Sequence, residues 1–112
     1  MRHILIATAA SAALLCGCGA GGGARPATTT AIAIENFRYA PSPATVKAGA
    51  RIAISNADGA PHTLTDRATA RAFDSGTIKG GARGSVTFTK PGTYAYYCEF
   101  HPYMKGSVTV TG

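Results

Sequence analysis

The chain has no tryptophan, no cysteine between Cys18 and Cys98, and only five acidic residues against eleven lysines and arginines. Each shortage excludes something. An antibody-type immunoglobulin domain needs a cysteine on an early strand and a buried tryptophan. Tyr96, two residues ahead of Cys98, therefore imitates a tyrosine corner without the partners that such a corner serves. The carboxylates form no cluster and no nucleophile sits among them, so an acid–base or hydrolytic site has nothing to start from, and the chain reads as a non-enzyme. Neither an internal repeat nor a long helical period is present. The cations are scattered and no aromatics interleave with them, which speaks against a nucleic-acid platform and for an acidic protein partner or an anionic membrane surface.

What is present divides the 112 residues into three parts. Met1-Arg2-His3 and the apolar run Ile4 to Leu15 read as the charged and hydrophobic regions of an export signal, too short to span a membrane. Leu15-Cys16-Gly17-Cys18 resembles a bacterial lipobox, with Gly17 as the small residue before the cut and Cys18 as the acylated mature N-terminus. Residues 1–17 are thus assigned to a lipoprotein-type signal peptide. Residues 18–30, rich in Gly, Ala, Thr and Pro, form a flexible tether, and residues 31–112 one small folded domain. The expected protein is a monomer, exported and anchored to a membrane through Cys18 on its periplasmic or extracellular side.

After the tether the apolar period becomes two. Ile32 and Ile34, Ile52 and Ile54, Val86 and Phe88, and Val108 and Val110 alternate with small or polar residues, as half-buried strands require. Gly49, Asp58-Gly59, Gly80-Gly81 and Pro91-Gly92 supply turns between them. Tyr94 to Cys98 reads as a further strand, with shorter ones around Thr45 to Lys47 and His62 to Thr65, and Ala68 to Ala72 as a brief helical turn. The fold class is all-β, with seven or eight strands in a two-sheet sandwich.

One stretch carries chemistry. Tyr94 to Gly106, YAYYCEFHPYMKG, spaces a thiol, an imidazole and a thioether three residues apart at Cys98, His101 and Met104. A thiolate with imidazole suits copper or zinc, but a thioether is a poor zinc ligand and a natural weak axial ligand for copper. A trigonal site needs a second imidazole. His3 falls in the removed signal, so His62 is the candidate. With Cys16 removed and Cys18 acylated, Cys98 is left as a lone thiol in an oxidising compartment, where metal binding gives it a role; an inert buried Cys98, or one paired with an unacylated Cys18, is the alternative. Gly106 reads as the point where the chain turns into the next strand.

This Cys98, His101 and Met104 loop resembles that of the cupredoxins, most closely the amicyanin and plastocyanin-like group, including the proline of His101-Pro102. The resemblance extends from about Ala31 to Val110 through Phe37, Tyr39 and Pro41, Val46-Lys47-Ala48-Gly49, Asn56 ahead of Pro61-His62, Phe73-Asp74-Ser75-Gly76 and Pro91-Gly92-Thr93-Tyr94. It implies Greek-key connections and one type 1 (blue) copper ion held by His62, Cys98, His101 and Met104. It also implies electron transfer between redox protein partners, with His101 as the exit through an apolar patch; delivery of copper to an acceptor is the alternative role. Two departures stand out. Thr63 replaces the asparagine that follows the first histidine in the group, and Glu99-Phe100 replaces a Thr-Pro or Ser-Pro pair. The first alters the tie between the two ligand loops and the second leaves the loop without its stiffening proline. Tyr97, on the other strand face from Cys98, offers a more distant electron route or is an ordinary surface tyrosine.

Overall fold

The computed structural model describes residues 27–112; the signal segment, Cys18 and most of the tether lie outside them. The described residues form eight strands: β1 (Ala31–Glu35), β2 (Arg38–Ala40), β3 (Ala44–Lys47), β4 (Arg51–Asn56), β5 (Thr65–Asp66), β6 (Arg83–Thr87), β7 (Gly92–Tyr97) and β8 (Lys105–Thr111). They make two four-stranded sheets, ordered β2-β1-β4-β6 and β3-β8-β7-β5. β1 runs parallel to β4 and β3 parallel to β8, while every other neighbouring pair is antiparallel. The chain passes repeatedly from one sheet to the other, and the result is the expected all-β sandwich.

The period-two residues account for the interior. Ile32, Ile34, Ile52, Ile54 and Val86 face inward from the first sheet; Val46, Tyr96, Val108 and Val110 face them from the second. Leu64, Phe73, Ile78 and Phe88, outside the strands, close the core. Phe73 packs edge-on against Phe88, and Tyr39 against Tyr96, in the arrangement aromatic quadrupoles favour.

Four local expectations change. His62 to Thr65 is not a strand: His62 makes one isolated bridge with Ile78, and only Thr65 enters β5. Every residue from His62 to Asp66 is buried, so no alternation sets a face, and the Thr63 N–H turns to the Cys98 sulfur instead of a ladder. Ala68 to Ala72 holds a hydrogen-bonded turn, not a helix; the buried Asp66 carboxylate accepts from the Ala68 and Ala72 N–H groups and keeps the chain from continuing a helical ladder. Thr29 and Thr30 already bond to the sandwich, through Thr45 and Ala53.

Gly106 lies inside β8, opposite Tyr96, and does not turn the chain. A Cβ there would run into the Tyr96 ring, so the glycine is required by close packing of the ring over the strand. Substituting Gly106→Ala should destabilise the metal-free domain by about 1–3 kcal/mol, the usual effect of overpacking. Urea unfolding measures this directly, and an unchanged midpoint would contradict the packing account.

Candidate metal centre

The site sits where the two sheets meet, and three segments build it. The first is the loop after β4. Asn56, buried at the end of that strand, donates from its amide to the carbonyls of Ala60, Ile78 and Lys79 and accepts the Asp58 N–H. One side chain thus fixes the backbone leading to His62. His62 is then held by reciprocal backbone bonds with Ile78, at 3.0 and 2.8 Å, and its side chain is fully buried.

The second segment is the loop between β7 and β8. Cys98 follows β7 directly and is buried and unpaired among the described residues. Its N–H donates to the Met104 carbonyl at 3.1 Å, and the Met104 N–H donates to the His101 carbonyl at 2.8 Å. These bonds fold seven residues back on themselves, placing His101 half-buried at the tip and Met104 buried beneath.

The donor atoms converge. Nδ1 of His62 and Nδ1 of His101 each lie 3.7 Å from Cys98 Sγ, and the three donors fall within 4.8 Å of one another. Metal–sulfur and metal–nitrogen bonds of about 2.3 and 2.0 Å, opened to about 110–120°, separate such donors by roughly 3.5–3.7 Å. The set therefore fits a single first-row ion. Its chemistry fits copper, because a thiolate, two imidazoles and a neighbouring thioether form the blue-copper donor set.

Hydrogen bonds around the donors select the right protonation states. Nε2 of His62 lies 2.8 Å from Asp58 Oδ2. A carboxylate accepts there, so the imidazole proton belongs on Nε2 and the lone pair on Nδ1, towards Cys98. Asp58 also accepts the N–H groups of Asn36 and Phe37, at 2.8 and 2.9 Å. These contacts, the Phe37 N–H above all, hold its carboxyl below the ordinary aspartate range. The Thr63 N–H donates to Cys98 Sγ from 3.4 Å and orients the sulfur towards the imidazoles.

Thr63 also settles how the loops are tied. Its hydroxyl accepts the Glu99 N–H at 2.9 Å, so the threonine joins the His62 loop to the Cys98 loop through side chain as well as backbone. The residue differs from the group it resembles, and the tie is still made.

Two contributors escaped the sequence reading. Asp58 was seen only as a turn residue. Phe37 enters the sequence reading only through the resemblance, yet it occupies, with Asn36, the two-residue β1–β2 turn at φ of 57° and 53°. Such paired positive angles suit a type I′ hairpin, in which asparagine is common and a bulky aromatic is strained. The two N–H bonds to Asp58 offset that strain, and the Phe37 ring stands edge-on to both imidazoles at centroid distances of 5.0 Å.

A β-sandwich whose two sheets bring a buried cysteine and two histidines together at one end defines a blue copper electron-transfer protein. The chain belongs to the cupredoxin family, matching the cupredoxin-like domain over residues 4–110, and its cofactor is copper. It is 30% identical to amicyanin-alpha of Methylorubrum extorquens, over 95% of this chain and 92% of that one. It is 33% identical to plastocyanin A/B of Petroselinum crispum over 64% of this chain and 86% of the relative. The fold superposes on the Cu(I) form of an amicyanin variant with a TM-score of 0.64 at 30% identity, covering 79% of this chain and 87% of the other.

Asp58→Ala should remove about 1.5–3 kcal/mol from the metal-free domain, because the Asn36, Phe37 and His62 donors lose a charged acceptor. The aspartate's folded pKa is depressed. Its contribution is present above the unfolded value of about 3.9 and is lost as pH falls through the lower folded value. Urea titrations should therefore separate wild type and variant at neutral pH and bring them together in acid; equal stability at neutral pH would refute the role.

Proposed function

We propose that the protein is an electron carrier in which His62, Cys98 and His101 form the trigonal plane of a type 1 copper site and Met104 its axial contact. The observation that carries this reading is the convergence of a buried thiol and two imidazole Nδ1 atoms at 3.7 Å. Copper in such a set supplies a one-electron couple between Cu(II) and Cu(I). The chain's own part is to keep the donors fixed. Asp58, Thr63 and the Cys98–Met104 backbone bond hold each of them from outside the site. The four donors leave no position assigned to a substrate, which supports a carrier over an enzyme. Burial of His62, Cys98 and Met104 supports retention of the ion over its delivery to an acceptor.

His101 is the half-buried donor and serves as the exit. Phe37, Phe100 and Tyr103 are the exposed large apolar residues among those described, and their ring centroids lie 5.0, 6.5 and 6.0 Å from that of His101. An apolar patch of this size around a ligand suits brief docking of a redox protein. The excess of cations favours an acidic one. Tyr97, half-buried with the Arg67 guanidinium 5.9 Å from its ring centroid, is left as an ordinary surface tyrosine in this scheme.

The carrier is further proposed to be exported and held at a bacterial membrane by acylated Cys18, with the segment from Cys18 up to Thr29 as its tether and residues 29–112 as the monomeric copper domain. The support is the lipobox-like Leu15-Cys16-Gly17-Cys18 and the core-poor segment behind it. Cys18→Ala should move the protein from the membrane to the soluble fraction and remove an acyl mass. Equal membrane association with no acyl group on wild type would end the anchoring proposal.

The copper reading is tested by visible and EPR spectra of the Cu(II)-loaded domain. Wild type should be intensely blue from Cys98 thiolate charge transfer. Cys98→Ser should be colourless with its β-sheet circular dichroism intact, because the core is built without the metal. Met104→Gln should keep the colour and lower the reduction potential, since a harder oxygen donor favours Cu(II). A colourless wild-type complex would sink the proposal, and an unchanged potential in Met104→Gln would remove Met104 as the axial ligand.

A further inference from the structure

The loop between Cys98 and His101 carries a carboxylate one residue from the thiolate and lacks a proline to stiffen it. Both problems meet at Arg71. Its Nη1 lies 2.5 Å from Glu99 Oε1, across 28 residues of sequence. Arg71 adopts a φ of 47°, a left-handed conformation uncommon for a residue other than glycine. The turn that imposes it is braced from below: Asp66, buried, accepts the Ala68 and Ala72 N–H groups at 3.0 and 2.8 Å, and the Arg71 N–H closes on the Ala68 carbonyl at 3.0 Å. The guanidinium is therefore presented by a fixed piece of backbone, not by a loose surface loop.

A polar ring completes the arrangement. The Glu99 N–H donates to the Thr63 hydroxyl, which lies 2.9 Å from that of Thr65; Thr65 Oγ1 is 3.1 Å from Asp74 Oδ1, and Asp74 Oδ2 is 3.9 Å from Arg71 Nη1. Each hydroxyl has one proton, so Thr65 donates to the carboxylate and Thr63 donates to Thr65, which leaves the Thr63 oxygen free to accept from Glu99. Glu99 is thus gripped at both ends, its N–H by Thr63 and its carboxylate by Arg71.

We propose that Arg71 is a positioning residue of the copper ligand loop: it clamps Glu99, fixing the backbone between Cys98 and His101, and neutralises the carboxylate beside the thiolate, thereby raising the reduction potential. The potential part rests on the blue copper reading. Its physical basis is the sign of the charge. An uncompensated anion near the site favours the more positive Cu(II), and a cation held against that anion cancels the bias. Both side chains are partly solvated, so the effect weakens as salt screens it.

The experiment compares wild type with Arg71→Gln, Arg71→Lys, Glu99→Gln and the double variant Arg71→Gln/Glu99→Gln. Voltammetry of the copper-loaded forms at low salt should show a lower potential for Arg71→Gln, near wild-type behaviour for Arg71→Lys, and a higher potential for Glu99→Gln. In the Glu99→Gln background, Arg71→Gln should shift the potential by a smaller amount, because Arg71 acts through Glu99. Amide exchange of the metal-free proteins should show the Glu99 N–H exchanging several-fold faster in Arg71→Gln. A potential in Arg71→Gln at or above wild type, an equal drop with and without Glu99, or unchanged Glu99 exchange would each overturn the clamp. Should Arg71→Gln not fold, Glu99→Gln decides alone: a raised potential supports the proposal, and an unchanged or lowered one defeats it. A colourless wild-type copper complex would defeat the carrier reading instead, and the exchange measurement, made without metal, would still decide the clamp.

Discussion

The structure of the site depends on one crossing of backbone and sulfur, the Thr63 N–H directed at Cys98 Sγ from 3.4 Å. Thr63 belongs to the segment that leaves the first sheet after β4, whereas Cys98 directly follows β7 of the second. Their contact brings the two ligand-bearing loops to the same depth. The N–H and the two imidazoles around the buried sulfur give it polar neighbours on every side from which a ligand loop approaches. Moving Thr63 by one residue would take His62, its neighbour, out of reach of the sulfur.

Pre-organisation follows from the same crossing. The core residues on the strands, from Ile32 and Ile34 to Val108 and Val110, include no metal donor, and Cys98 and Met104 join the same apolar cluster from the ligand loop, so apolar burial packs the sandwich before an ion is bound. The donors are then fixed by groups that are not donors: Asn56 for the His62 loop, Asp58 for the imidazole tautomer, and the Cys98–Met104 backbone bond for the short loop. A cage that stands before the ion arrives resists rearrangement between two oxidation states, which is the property an electron carrier needs.

How much of this was readable in the sequence depends on the range of each interaction. The period-two runs gave the strands because alternation is local, and Cys98, His101 and Met104 stood out because one loop holds all three. His62 lies far from that loop in sequence, and the elimination of His3 and the Asn56 and Pro61-His62 setting point to it. Asp58 and Phe37 are 21 residues apart, and nothing near either one says that a carboxylate will accept the other's N–H. The Arg71–Glu99 pair is set by where a turn beside β5 comes to rest against the loop after β7. Gly106 misled for a related reason. A glycine after a loop suggests a turn, and only the β7–β8 register, which sets it opposite Tyr96, shows that it leaves room for a ring. The buried run from His62 to Asp66 had no alternation from which to read a strand, and its backbone serves the site instead.

The distribution of charge carries the argument from the site to the surface. Of the five acidic residues, four are engaged internally. Asp58 and Asp66 accept backbone N–H groups, Asp74 accepts from Thr65 and Gly76, and Glu99 is held by Arg71. Only Glu35 remains, at the exposed end of β1, paired in register with Arg38. The carboxylates are thus spent on turns and on the ligand loops, while Lys47, Arg51, Lys79, Arg83, Lys90 and Lys105 have no ion-pair partner among the described residues. The described residues carry nine cations against these five carboxylates, and Arg2 and Arg25 supply the rest of the chain's +6. A surplus of charge of one sign speeds the approach of an oppositely charged molecule. Internal use of the acids therefore fixes the ligand loops: Asp58 holds the His62 imidazole, and Glu99, itself held by Arg71, donates its N–H to Thr63.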